Sequence, residues 1–244
     1  MKELWEPYTV ALTSCARFDL LERTLRSLLP LLDGPCQGVL IGEDSADRGV
    51  FDVISKVSGM GVPIEVIFNR RRLGICGNID RIYSEVPTEW VFHCEDDWMF
   101  VRGGFISESF EILKANHTVS SVNLRAVSDL PSEYWRLTQD GYYLANSGAD
   151  YAGLHFNPGL RRMSDYHRIG PYRKLAVAAG EFDASRAYLA HGMQMASLLR
   201  PAVEHIGWGC HVPNRAKRHG FRLQLMWRIA KRIRRLNRRF PRKF

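Results

Sequence analysis

Between residues 8 and 124 the chain alternates short apolar runs with stretches of helical spacing, and two of those runs end directly in acids. This alternation constrains the fold more than any other feature. A strand, a helix and a further strand pack as a parallel pair with a right-handed crossover, so the pattern predicts an α/β layer on a mostly parallel sheet. The runs are 8–14 (YTVALTS), 38–42 (GVLIG), 63–68 (PIEVIF), 89–94 (EWVFHC) and 119–124. After the first, Asp19 stands where a helix N-cap is expected, and Leu21, Leu25, Leu28 and Leu32 recur at helical spacing until Pro30 kinks or ends the helix. Further helices are expected over 50–57, 74–86 and about 105–114.

The second half is less regular. Residues 135–151, rich in Tyr, Gly and Asn, predict a hairpin or an excursion from the sheet, and Asn157-Pro158-Gly159 predicts a turn. A helix is expected over 181–191, closed by Gly192, then a short strand over 195–199 and a Gly- and aromatic-rich segment over 203–212.

Composition narrows the class. With 244 residues, 45% hydrophobic and 25% charged, the chain has the apolar mass for a core and is not globally disordered. No apolar run approaches the roughly 18 residues of a membrane span. Glu3, Glu6 and Pro7 precede any apolar run, so no secretory signal is expected. The five cysteines form no CxxC pair, which argues against a disulfide framework or zinc knuckle and for a reducing, cytoplasmic setting.

The net charge of +8 is unevenly distributed: residues 217–244 hold 12 Lys or Arg and no acid, leaving 22 bases against 26 acids before them. A globally basic nucleic-acid-binding domain is thereby excluded, and no specific nucleic-acid partner is expected. The division predicted is a domain over 1–216, in halves of about 8–125 and 126–216, followed by a tail over 217–244. In the tail Phe221, Leu225, Ile229, Ile233, Leu236 and Phe240 recur at helical spacing, with Arg228, Lys231, Arg232, Arg234, Arg235 and Arg238 between them. That describes a basic amphipathic helix suited to an anionic membrane surface, with nucleic-acid contact or an acidic partner as rival readings.

Ligands of parallel α/β sheets bind at the carboxyl ends of the strands. Glu95-Asp96-Asp97 follows its strand with no intervening loop, and adjacent like charges cost stability unless a cation or several donors neutralise them. Such hard oxygen donors suit Mg²⁺ or Mn²⁺ shared with a substrate's phosphates, whereas a bare acidic turn would simply be solvated. Glu43-Asp44 ends the second strand, where a carboxylate can accept from a ribose or a base, and where Ser45 or Asp47 can equally cap a helix. Asn69 and the arginines to Arg72 leave the third strand and can screen a diphosphate, or form a solvated loop. Glu181 and Asp183 open a helix, favoured there by the dipole, and either can serve as a general base. Trp98, Trp135 and Trp208 can offer a stacking face to a ligand or pack in the core.

These parts, in this order, resemble an inverting family 2 glycosyltransferase of the GT-A fold. VALTSCARFDLLERTLRSLL resembles the family's first strand, Thr-x-x-x-Arg turn (Thr13, Arg17) and Leu-rich helix; IGEDSAD resembles its second acidic turn, with the base contact falling to Glu43 or Asp44. NRRRLGICGNID resembles the Asn-x-Gly-x-Asn region, which implies nucleotide contacts by Asn69, Arg72 and Asn78. FHCEDDW resembles the DxD motif with Glu95 in place of its first Asp, which implies Asp96 at the nucleotide and Asp97, with Glu95, at the metal. GEFDASRAY resembles the helix start that carries the catalytic base, Glu181 or else Asp183, and HIGWGCH the stretch that brings a histidine, His205, to the metal or diphosphate. The resemblance implies a metal-dependent sugar transfer from a nucleotide-diphospho-sugar, UDP type favoured, to a glycolipid or glycan, with Mn²⁺ or Mg²⁺ as cofactor. The resemblance covers about residues 8–212; the basic tail beyond it is what places the protein at the inner face of the cell membrane in this reading. The rival functions are a nucleotide-sugar-binding module without catalysis and a sugar-phosphate nucleotidyltransferase; the latter's Gly-rich loop is missing from SCARFDLLER.

Overall fold

In the computed structural model of the chain, residues 5–176 and 180–210 are described. The expected basic helix of the tail lies outside them. The first elements follow the alternation in the sequence: β1 (Tyr8–Ser14), α1 (Phe18–Leu28), β2 (Cys36–Glu43), α2 (Gly49–Val57), β3 (Ile64–Phe68), α3 (Gly74–Tyr83), β4 (Trp90–Glu95). After β5 (Trp98–Phe100), α4 (Phe105–Ala115) and β6 (Val119–Asn123) come β7 (Trp135–Leu137), β8 (Tyr143–Ala145) and β9 (Gly159–Arg162). The described part closes with α5 (Met163–Ile169), α6 (Tyr172–Leu175), α7 (Gly180–Ala190), β10 (Gln194–Ser197) and β11 (Val203–His205).

Nine of these strands form one sheet in the order β3-β2-β1-β4-β9-β6-β10-β8-β7. β1 to β4 are mutually parallel, β9 runs antiparallel between β4 and β6, and the β7–β8 hairpin adds to the edge through β10. The region 135–151 is therefore a hairpin of the main sheet rather than an excursion from it. β11 and β5 pair separately.

Every residue of β1 is buried, because helices cover both faces of the sheet. Successive side chains alternate between the faces. Val10 and Leu12 join Leu21, Leu25 and Leu28 of α1 and Phe105 and Phe110 of α4, whereas Ala11 joins Ile79, Ile82 and Tyr83 of α3 with Tyr172 and Tyr188. Each fully buried leucine contributes about 1.5–3 kcal/mol, so the Leu repeat of α1 anchors the helix whose first turn faces the acidic edge.

Three expectations need correction. Asp19 is not the N-cap: α1 begins at Phe18, Arg17 occupies the cap position, and Asp19 lies in the first turn, where its charge suits the dipole. Residue 159 does not end a turn but begins β9, a strand hidden by the arginines at 161 and 162, which break its apolar pattern. α3 stops at Tyr83 rather than at residue 86, its last carbonyls being taken by the amides of Ser84, Glu85 and Val86.

Candidate functional site

The register of the parallel strands sets acids side by side. Ser14 of β1 lies opposite Glu43 of β2, and Thr13 opposite Glu95 of β4, so the ends of β1, β2 and β4 form one edge. The turn from β1 to α1 folds over it. Arg17 Nη1 donates to Asp97 Oδ2 at 2.6 Å while Nη2 donates to Asp96, and the Cys15 amide donates to the other Asp96 oxygen at 3.3 Å. Asp96 is wholly buried; that burial pushes its carboxyl up to about 6, against the downward pull of Arg17. Glu95 turns toward Trp98, whose indole N–H lies 3.3 Å from Oε2. Burial, then the charges of Asp97 and Glu181, push it up to about 8.

His205 reaches this edge through the β11–β5 pairing, which sets it opposite Trp98. Its Nε2 lies 3.3 Å from Asp97 Oδ2, and its ring packs against Trp98 at 4.9 Å and Trp208 at 4.6 Å between centroids. The Ile206 amide donates to the Asp97 carbonyl at 2.9 Å, and a Cβ at Gly207 would collide with the Asp97 carboxylate, so glycine is required there. Asp97 Oδ1 is buried and has no hydrogen-bond partner among the described residues. A carboxylate with an open oxygen beside an imidazole fits Mn²⁺ well and Mg²⁺ through the carboxylate. No group of three or more such residues among those described is arranged to hold a metal, so Glu95 does not join Asp97 and His205, and diphosphate oxygens and water would complete the shell.

The acids at the end of β2 have divided roles. Asp44 accepts from the amides of Leu73 at 2.7 Å and Gly74 at 2.8 Å and from Asn69 Nδ2 at 3.1 Å, which ties it to the start of α3. Gly74 takes φ +77 there, a left-handed backbone suited to glycine. Glu43 is fully buried; its Oε1 accepts from the Ser45 amide at 2.7 Å and the Ala16 amide at 3.3 Å, while Oε2 has no partner among the described residues. Of the pair, Glu43 is the one with an oxygen to offer. Asn69 also donates to Asn78 Oδ1 and Asn78 to the Gly42 carbonyl, so both amides brace the strand ends. Thr13 is buried in β1; Arg72 is exposed, within electrostatic reach of Asp44 and Cys15.

Glu181 lies in the first turn of α7, and its Oε1 accepts from the Phe156 amide at 2.7 Å. Ser185, one turn on, accepts from the amides of Gly153 at 3.0 Å and Leu154 at 3.2 Å, so α7 is stitched to the segment before β9. Burial raises the Glu181 carboxyl above its ordinary value, opposed by the Phe156 N–H, Arg161 and Arg125. Asp183 is half-buried in the same turn. Sequence reading missed Arg161 and the Phe156 amide, and also a backbone signal. Among the described residues the non-glycines with positive φ are Ala16, Ala46 and Tyr151. They sit in the β1–α1 turn, in the acidic turn after β2, and against Phe182 beside Glu181. Left-handed backbone costs an ordinary residue roughly 1–2 kcal/mol, and such strain concentrates at functional sites.

No protein-family model matches the chain, nor does any curated protein sequence. Among solved structures it superposes on the mannosyltransferase PcManGT from Pyrobaculum calidifontis in complex with GDP-Man and Mn²⁺, with a TM-score of 0.62 and 14% identity. It also superposes on GalNAc-T7 with UDP, GalNAc and Mn²⁺, with a TM-score of 0.62 and 12% identity. The chain has the GT-A-type fold. The superpositions each cover 85% of this chain, but only 57% and 45% of those proteins. At these identities the likeness concerns the GT-A fold, and the roles of individual side chains rest on the geometry above.

Proposed function

We propose that the chain is a glycosyltransferase, moving a sugar from a nucleotide-diphosphate donor, UDP type favoured, to a hydroxyl of a glycolipid or polysaccharide with inversion at the anomeric carbon. The observation that carries this reading is one end of a GT-A sheet that gathers Asp97 against His205, an open oxygen of Glu43, and Glu181 within electrostatic reach of Glu95. Both similar structures hold nucleotide or nucleotide-sugar with Mn²⁺, which supports a donor of that class.

In this mechanism Glu43 accepts from the nucleoside, and Arg17 and Arg72 supply positive charge beside the diphosphate. Asp97 and His205 would hold Mn²⁺ or Mg²⁺, which when bound supplies Lewis-acid neutralisation of the leaving diphosphate. Glu181 takes the proton of the acceptor hydroxyl as its oxygen attacks the anomeric carbon; the bond to the diphosphate oxygen breaks and that oxygen leaves with the electron pair. A carboxylate raised toward neutral pH is a stronger base while still ionised. Trp208, 73% exposed and set edge-on to His205, supplies a face for the acceptor ring, whereas Trp98 and Trp135 are buried. The basic tail would hold the enzyme at the cytoplasmic face of an anionic membrane.

Thermal-shift screening of nucleotide sugars with and without Mn²⁺ tests the reading, because ligand at a hundredfold its Kd stabilises by about 2.7 kcal/mol. A matched donor should stabilise the protein and be transferred. No stabilisation by any nucleotide sugar, or transfer undiminished in both Asp97→Asn and Glu181→Gln, rejects it. Truncation after residue 216 should abolish sedimentation with anionic vesicles and spare donor binding.

A further inference from the structure

Arg161 stands in the middle of the sheet, on β9, opposite Val91 of β4 on one side and Ser121 of β6 on the other. It is 2% exposed, and among the described residues it forms no ion pair. A guanidinium is costly to bury, so its hydrogen bonds show what it holds. Nη1 donates to the Tyr83 hydroxyl at 3.2 Å. Nη2 donates to the carbonyls of both His155 and Asn157, the residues that flank Phe156. The His155 carbonyl and the Phe156 N–H belong to one peptide group, and that N–H donates to Glu181 Oε1 at 2.7 Å. The guanidinium and the carboxylate thus sit at the two ends of a single peptide dipole.

We propose that Arg161 is the positioning residue of the general base, clamping the 155–157 segment by its carbonyls and, through the His155–Phe156 peptide, orienting the Glu181 carboxylate and strengthening the hydrogen bond it accepts. The inference rests on Glu181 being the base. Hydrogen bonds in series polarise one another, and a cation at the carbonyl end makes the amide at the other end a better donor. The fork shape matters as well as the charge: a guanidinium spans two carbonyls at fixed angles, which an ammonium on a flexible stem does not. The groups acting on Glu181 are Arg161 from β9 and Arg125 beyond β6, which favour its ionised form. Glu95 at the end of β4, Cys76 of α3, and Tyr134 and Tyr151 are coupled to its charge from the remaining sides.

The test is a titration of Glu181 in the full chain by carbon-13 NMR of labelled glutamate, the signal identified by its loss in Glu181→Gln. Arg161→Lys should raise the Glu181 midpoint by about one pH unit, a tenfold change in proton affinity. Tyr83→Phe removes the hydroxyl that Arg161 Nη1 and His93 Nδ1 share, leaves both carbonyl contacts of Nη2 in place, and should keep the midpoint at the wild-type position. Arg161→Met should raise it further; if that variant does not fold, Arg161→Lys decides. With a matched donor, Arg161→Lys should lower kcat and move the acid limb of its pH profile upward by the same shift, leaving the donor KM unchanged. An unshifted midpoint in Arg161→Lys overturns the proposal, even if the variant is less stable. Absence of transfer by the wild type with every donor would instead remove the glycosyltransferase reading, and the titration would still decide whether Arg161 governs Glu181.

Discussion

The acidic edge should make the metal-free protein less stable as pH rises through neutrality, and Glu95 is the residue that dictates the slope. Its carboxyl is pushed up to about 8 in the folded chain, against roughly 4.3 in an unfolded one. Between those values the folded state holds a proton that the unfolded state has released, so stability falls with rising pH by about 1.4 kcal/mol per unit. Other groups overlap at lower pH. Asp96, raised to about 6, adds to the fall in acid, while buried His155, lowered to about 3, and His93, lowered well below its ordinary value, act oppositely by leaving protons to the unfolded chain below roughly pH 6.5. From pH 6.5 to 8 Glu95 remains the main contributor, and the expected fall is about 2 kcal/mol. Urea unfolding followed by tryptophan fluorescence in EDTA-containing buffers across that window measures it directly. Glu95→Gln, which keeps an acceptor for the Trp98 indole, should flatten the profile and be the more stable protein at pH 8. A wild-type profile that is flat or rising, or a Glu95→Gln profile that still declines as the wild type does, would refute the reasoning.

Further outcomes follow from the same geometry. Glu43→Gln should weaken UDP binding at least tenfold, by about 1.4 kcal/mol, measured calorimetrically, whereas Asp44→Asn should chiefly lower the Tm, because its oxygens hold the amides that open α3. Asp97→Asn or His205→Ala should abolish the extra thermal stabilisation that Mn²⁺ adds to UDP, with Tm in the absence of ligand little changed for His205→Ala. Glu181→Gln should cut the transfer rate about 10²–10⁴-fold at unchanged donor affinity, read in steady-state assays. Leu25→Ala should destabilise by about 2–5 kcal/mol in chemical denaturation, since Leu25 is wholly buried between α1 and the sheet.

The parts of the fold legible in the sequence are those whose burial is carried by a simple period. β1, α1, β2, β3, β4 and β6 fall within a few residues of their expected bounds because their apolar spacing is uninterrupted, whereas the three-residue β5 is too short to show a period. β9 was invisible because two of its four residues are arginines, one buried against backbone carbonyls and one packed over the Trp90 ring. The acids of the site were legible because they follow apolar runs without a loop. Their division of labour was not: the partners of Asp44 are amides 29 and 30 positions further along, and the imidazole at Asp97 lies 108 positions away. The left-handed turns at Ala16, Ala46 and Tyr151 carry no glycine to announce them.

The electrostatics of the edge bear on how a donor would enter it. Arg17 answers two neighbouring carboxylates, Asp96 and Asp97, with one guanidinium, delivered by a turn whose alanine is held in a left-handed conformation. Apolar residues would pack there at lower cost, so the arrangement is poor as a device for stability. With Arg17 drawn onto Asp96 and Asp97, a lone diphosphate approaching Asp97 meets mainly negative charge. On the proposed function, Asp97 and His205 would hold a cation whose charge would oppose that field, leaving the Arg17 guanidinium for the phosphates. On that proposal, the acids and the arginine together would favour a nucleotide that arrives with its metal over either one alone.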